Sequence, residues 1–218
     1  MKFHRHKHGI GEVFFTSDHH WGHEGIIEMC GRKFDSLEEM DRTMIERWNA
    51  VVGPRDVVWY LGDFAHHCPP DRVRKIWHAL RGQKHLVIGN HDKKPTIDLP
   101  WTSVQQMVHI TVDKQRIHLS HYGQRVWPGQ YKGAIHLYGH SHGRLPGNTT
   151  TMDVGVDNVG YFPLSLENIR EHLSKLDPAP IPDDIDALDD IDIEMISSAR
   201  VDTDEPYTMS DIPDIPHD

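Results

Sequence analysis

Five apolar, β-branched runs, each ended by a polar cluster, constrain this chain more than any other feature. Val13-Phe14-Phe15 leads into Asp18-His19-His20. Val57-Val58-Trp59-Tyr60-Leu61 leads into Gly62-Asp63, and Leu86-Val87-Ile88 into Gly89-Asn90-His91-Asp92. Ile117-His118-Leu119 precedes His121, and Ile135-His136-Leu137-Tyr138 precedes Gly139-His140-Ser141-His142. Short apolar runs bounded by turn residues read as strands. Each cluster then sits at the carboxyl end of a strand, the edge of an open α/β sheet where ligands bind. Five such strands meeting along one edge would bring Asp18, His20, Asp63, Asn90, His121, His140 and His142 together.

That donor set describes a site for two metal ions. Carboxylate, amide oxygen and imidazole suit Mn, Fe, Zn or Ni, and the lack of thiolates argues against a structural zinc or an iron–sulfur cluster. Two ions about 3.5–4 Å apart clamp both oxygens of a phosphoryl displacement, and their repulsion calls for a bridging carboxylate. Asp63 is the natural bridge, because it stands alone after its strand between two groups of ligands. Asp18 and His20 share one face if their backbone stays extended, and so do His140 and His142. Glycine before Asp63, Asn90 and His140 lets the chain turn sharply and approach the ions.

The five blocks read D-x-H, G-D, G-N-H-[DE], H and G-H-x-H, in that order. They resemble the signature of the calcineurin-like metallophosphoesterase superfamily, over roughly residues 10–175. The flanking Trp21-Gly22-His23, Ile26-Ile27 and Asp153-Val154-Gly155-Val156-Asp157-Asn158 are similar to its short stand-alone members. The resemblance implies an α/β fold of two packed mixed β-sheets forming a sandwich flanked by α-helices. It implies one metal held by Asp18, His20, Asp63 and His142, and a second held by Asp63, Asn90, His121 and His140. The cofactor expected is a pair of divalent transition-metal ions, Mn first, with Fe, Zn, Ni or Co as alternatives. By the same resemblance His91 faces the leaving group and Asp92 orients His91. The implied reaction is in-line attack on phosphorus by a metal-bridging hydroxide, with Asn90 and His91 stabilising phosphoryl charge and no covalent intermediate.

A phosphodiesterase on a small or nucleotide-like substrate is the reading favoured, since no large cap insertion interrupts the body. A phosphomonoesterase (nucleotidase or protein phosphatase), a pyrophosphohydrolase and a non-enzymatic metal-binding scaffold are the alternatives. His23, Arg32 and Arg125 are the candidate substrate contacts, arginine being suited to bidentate phosphate binding. Trp21, Tyr122 and Trp127 either stack on a base or pack the rim.

The chain has 19 histidines in 218 residues, far more than two metal ions can use. His4, His6 and His8 read as a solvated tail or edge strand. His66 and His67 either line the cleft or sit idle on a loop. His118 and His136 lie within strands and are expected in the core or behind the ligands.

The net charge of −10 is misleading. Residues 177–218 carry 14 acids and one base, Arg200, which leaves the body at +3. A mildly basic body suits an anionic substrate, but it lacks the basic stripe of a protein that tracks nucleic acid. Two domains follow: a catalytic domain over 1–175 and an acidic, Pro-rich tail over 176–218, expected to be disordered in part. Ile185, Leu188 and Ile196 have helical spacing there, which would suit an acidic amphipathic helix against the body or a protein partner. Cys30 and Cys68 show no C-x-x-C spacing and read as reduced thiols outside the metal blocks. The first apolar run is too short for a signal peptide, and nothing approaches the ~20 residues of a membrane span. A soluble cytoplasmic protein is expected.

Helices alternate with the strands. Ser36 and Glu39 form a capping-box pattern ahead of Leu37, Met40, Met44, Ile45 and Trp48, ending before Gly53. Pro70-Asp71 opens a second helix with Val73, Ile76, Trp77 and Leu80 as its buried stripe. Val104–Val108, Ile110–Val112 and Ile117–Leu119 read as strands, with Asp113-Lys114 as a hairpin tip. A last helix begins at Ser165.

Overall fold

The computed structural model describes residues 11–178. His4, His6 and His8, and the acidic segment with its Ile185, Leu188 and Ile196, lie outside the described residues. Two mixed sheets form the body. The first has strand order β4 (Ser103–Gln105), β3 (Gln83–Val87), β2 (Val57–Tyr60), β1 (Val13–Thr16) and β9 (Leu164–Ser165). Its β1 to β4 run parallel and β9 antiparallel. The second has order β5 (Met107–Val112), β6 (Gln115–Ser120), β7 (Ile135–Tyr138) and β8 (Thr151–Asp153), with β6 to β8 parallel.

Alternation along the strands builds two cores. Phe14, Val58, Tyr60 and Leu86 face one way, onto Met40, Met44 and Trp48 of α2 (Leu37–Val51) and Val73 and Ile76 of α3 (Pro70–Ala79). Phe15, Trp59, Leu61 and Val87 face the other way, and meet Ile117, Leu119, Ile135, Leu137 and Met152 of the second sheet. The strands of the first sheet are apolar on both faces because both faces are covered, as parallel strands require. The expected sandwich flanked by helices is the architecture found. No helix among the described residues is long and apolar enough to cross a membrane.

Three local readings need adjustment. Val104–Val108 is not one strand: the chain leaves β4 at Gln105 and enters β5 of the other sheet at Met107. Hydrophobic pattern cannot show such a switch, because both halves are apolar. Ser36 caps α2 by accepting from Glu39 N, but Glu39 Oε2 reaches back to Asp35 N (2.8 Å) rather than to Ser36. Two short helices, α1 (Gly25–Met29) and α4 (Lys94–Ile97), have no periodicity to announce them. Asp113-Lys114 is the hairpin tip, both residues at positive φ as a type I′ turn demands. The last helix, α5 (Leu166–Leu173), is capped by Ser165 and Asn168, and Leu176 beyond it still packs on the second core.

His118 and His136 are buried on the outer side of the second sheet. His136 Nδ1 donates to His118 O (3.2 Å) and its Nε2 accepts from Gln124 N (3.0 Å). Burial first, then the neighbouring His118, pushes the His136 pKa down to about 4, against the backbone bonds that favour its charged form. The folded protein therefore refuses a proton that the unfolded chain accepts near pH 6.5. Stability from this group is complete above pH 6.5 and is lost as pH falls toward 4, by up to about 3 kcal/mol. Urea unfolding of wild type and His136→Leu between pH 7 and 4 should show a shallower loss in the variant. Equal pH slopes would rule out His136 as a contributor.

Candidate metal centre

All five clusters follow their strands, and the two sheets bring their carboxyl ends to one edge. Asp18, His20 and His142 each offer a ligand atom within 4.8 Å of the others. Asp63, His121 and His140 form a second such group. Asp63 Oδ2 lies 3.5 Å from His20 Nε2 and 3.5 Å from His121 Nε2, so one oxygen joins the two groups. Asn90 Oδ1 lies 3.0 Å from His121 Nε2. Asp18, His20, Asp63 and His121 form a buried floor, while Asn90 and His140 stand exposed at the mouth. The structure thus gathers all seven residues picked as ligands.

The local backbone differs from the extended form expected. Asp18, His20, Asp63, His140 and His142 all have φ between 48° and 66°. Such left-handed residues cost about 1–3 kcal/mol each and persist only where surroundings enforce them. Here Asp18 N donates to Gly62 O (3.0 Å), His20 N to Asp63 O (3.2 Å) and His140 N to Asp18 Oδ2 (2.9 Å). Asp18 and His20 still reach one group, but His140 and His142 serve different groups. The glycines also divide their work. Gly62 turns at φ +93°, whereas Gly89 and Gly139 serve by lacking a side chain. A Cβ at Gly89 would overlap Asp63 Oδ1, and one at Gly139 would overlap Ser17 Oγ and Asp18 Oδ2.

The electrostatics fit cations. Burial pushes Asp18 up to about 7 and His20 down to about 3. Burial would also raise Asp63, but the bond to His121 and its charge bring it to about 2. His20 Nε2 is buried with no hydrogen-bond partner, which is costly for a ring nitrogen that faces a carboxylate. A divalent ion bound by that nitrogen and the adjoining carboxylates would relieve this cost. Tautomers are fixed from behind. His121 Nδ1 donates to Leu61 O (2.7 Å) and His142 Nδ1 to Asp157 Oδ2 (2.7 Å), which leaves each Nε2 as the available donor atom. Burial would lower His142, but the bond to Asp157 lifts it to about 10.

Several assignments change. Arg32 is not a substrate contact. It is buried, pairs with Asp157 through Nε (2.8 Å) and Nη2 (2.9 Å), and donates to Asp18 O and His19 O. Its fifth N–H points to Met40 Sδ (3.5 Å), so nothing is left over for a phosphate, and Arg32 instead clamps the first ligand loop to the residue that orients His142. Asp92 does not orient His91. Its carboxylate accepts Asp63 N (2.9 Å), Phe64 N (2.8 Å) and Gly89 N (2.8 Å), tying the loop after β2 to the loop after β3. Burial raises it to about 6 against those bonds. The ring of His91 meets His20 (centroids 5.3 Å apart) and His66 (4.1 Å). His66 and His23 also face one another at 4.7 Å, so His23 stays at the cleft. Arg125 is exposed, with no ion pair or hydrogen bond among the described residues.

Trp21 and Trp127 are buried packing, Trp21 stacked on His19 at 4.7 Å. Tyr122 alone of that trio stands at the mouth, its hydroxyl 3.3 Å from Asn90 Oδ1. Cys30 lies against His142 and Asp157, closer to the site than its spacing suggests. Asp153 holds the loop of the last block through Ser141 Oγ (2.5 Å) and Gly143 N (2.9 Å). Asp153 and Asp157 belong to the flanking segment already singled out in the sequence, but their roles were not legible there.

Two mixed sheets flanked by helices, with every block at a strand end, are the arrangement that the sequence resemblance implied. No family model matches the chain. It is 27% identical over 172 residues to an uncharacterised protein of Methanocaldococcus jannaschii, covering 75% of this chain and 92% of that one. It is 28% identical over 200 residues to the gene 66 protein of Mycobacterium phage D29, covering 77% and 98%. A protein of unknown function from Aquifex aeolicus shares the fold at a TM-score of 0.60 and 24% identity, over 74% of this chain and 99% of that one.

Two substitutions separate the shared ligand from the orienting one. Asp63→Asn should bring metal content from two ions per chain to below one, because it weakens both groups. Asp157→Asn should weaken only the group containing His142, by about 10–100-fold in affinity. Elemental analysis and metal titration read both. Finding one ion or none in the loaded wild type would remove the two-ion arrangement.

Proposed function

We propose that the chain is a dinuclear-metal phosphoesterase that acts on phosphodiesters of small or nucleotide-like alcohols. The observation that carries this reading is the single Asp63 oxygen 3.5 Å from histidines of both ligand groups. The residues present would hold one ion by Asp18, His20, Asp63 and His142, and another by Asp63, Asn90, His121 and His140. Such a pair supplies Lewis acidity, an acidified water and neutralisation of phosphoryl charge. Manganese is the ion we favour, on the oxygen and imidazole donor set.

The chain's own groups do the rest. Asn90 keeps Oδ1 toward His121 and Tyr122, which leaves its amide N–H groups for a phosphoryl oxygen. His91 stands beside His20 at the mouth, placed to protonate the departing oxygen. The exposed rim of Asn90, His140 and Tyr122 leaves room for a second substituent on phosphorus, which supports a diester. A cytoplasmic setting belongs to the same reading, supported by the free thiols of Cys30 and Cys68. So does a protein partner for residues 176–218, supported by their excess of 13 negative charges.

Steady-state hydrolysis of matched diester, monoester and pyrophosphate substrates with Mn²⁺ tests the reaction. The diester should be preferred, and chelation should abolish turnover. Preference for the monoester would replace the diester assignment, and no turnover of any would remove the enzyme.

A finer test separates His91 from Asp92. General acid catalysis is worth about 10²–10⁴-fold and matters most for basic leaving groups. His91→Ala should keep both ions and steepen the dependence of rate on leaving-group pKa. Asp92→Asn sets an amide against three backbone donors, so it should cost stability and metal without changing that slope. A changed slope in Asp92→Asn would restore it as the partner of His91.

A further inference from the structure

Behind His91 the surface opens into a cavity of about 260 Å³, lined among others by Ala65, His66, His67, Val73, His91 and Pro95. None of the seven candidate ligand residues lines it. Its floor is apolar, with Ala65 and Val73 buried. Its walls carry three imidazoles beside Cys68, Lys93 and Thr96: the His66 ring lies 3.9 Å from His67 and 4.1 Å from His91, with the rings tilted by 58° and 61°. We infer that this cavity is the subsite for the departing alcohol, and that it takes a flat aromatic or heteroaromatic group. The inference rests on the phosphoesterase reading and on His91 as the leaving-group acid.

Direction is set by His91. A general acid must lie within hydrogen-bond reach of the oxygen it protonates. The group that oxygen carries is therefore aimed at the His91 side of the ligands. One side of the His91 ring meets His20 of the metal floor, and His66 of the cavity wall packs on it as well. The cavity, with His66 and His91 in its lining, adjoins that side of the ring.

Size and chemistry set the occupant. At about 30 Å³ per water, the cavity holds roughly nine waters, and it is smaller than the ~300–1,000 Å³ of pockets that take drug-sized ligands. That admits a flat ring, single or fused, and excludes a polymer strand. An apolar floor rewards burial of a ring face. Imidazole walls offer edge-to-face contacts and N–H donors to ring heteroatoms.

The test uses methyl phosphodiesters that differ only in the departing alcohol: trifluoroethanol, 4-nitrophenol and the bicyclic 4-methylumbelliferone. Two variants at exposed wall positions act by different routes. Pro95→Trp fills the cavity and His67→Ala opens it. Pro95→Trp should lower kcat/KM for the nitrophenyl ester about tenfold, chiefly through KM, and leave the trifluoroethyl ester within about twofold. His67→Ala removes a wall contact and should lower kcat/KM for both aryl esters about threefold relative to the trifluoroethyl ester. Free 4-nitrophenol should inhibit trifluoroethyl ester cleavage in wild type, and more weakly in Pro95→Trp. If all three esters are cleaved and neither variant changes their ratios, the subsite assignment falls and the phosphoesterase stands. If wild type cleaves none of them, both fall together.

Discussion

The site depends on the carboxylate of Asp63. This residue is buried, left-handed in backbone and bonded in four directions. Its Oδ2 lies between His20 and His121, its Oδ1 accepts His91 N (2.8 Å), its N–H donates to Asp92, and its carbonyl accepts His20 N. Loops after β1, β2 and β3 are thereby fixed to one another through one side chain and its own peptide groups. A bridging ligand that drifted would uncouple the two ligand groups. Here drift would break hydrogen bonds to two other loops at once.

That arrangement explains why so many ligand residues adopt left-handed backbone. A strand that ended in extended conformation would send alternate side chains to opposite faces. Asp18 and His20 would then share a face but point along the strand normal, away from the second sheet. Left-handed residues fold the chain back over the strand ends, so that donors from both sheets meet above the edge. Together the five strained residues cost several kcal/mol at about 1–3 each. The two-sheet scaffold, apolar on both sides of β1 and β2, offsets this with burial worth about 1.5–3 kcal/mol per large side chain. Strain is concentrated where the donors are, and stability is drawn from the layers beneath them.

That the seven candidate ligand residues come together is legible in the sequence because each follows a strand within a few residues, so strand identity alone carries it to the shared edge. Sheet membership is not needed to see it. The same reasoning fails where partners are remote in sequence. Arg32 and Asp157 are 125 residues apart, and nothing local marks either as half of a buried pair. An arginine in a loop beside a phosphate site reads as a phosphate ligand until its five donors are counted. Asp92 misleads for the opposite reason. Its neighbour His91 is so close in sequence that a side-chain pair suggests itself, while the carboxylate turns back to three backbone N–H groups. Adjacent residues on a tight loop point apart more readily than they meet.

With Asp92 engaged elsewhere, the surroundings of His91 acquire a different character. A carboxylate partner would hold the ring by a directional bond and favour its charged form. Rings of His20 and His66 hold it instead by packing, which fixes the plane of the ring without a charged partner. In the proposed reaction, its neighbour is an anionic phosphate ester. A wall of imidazoles suits that neighbour better than a wall of carboxylates. It supplies contact area and N–H donors without adding negative charge next to an anionic substrate.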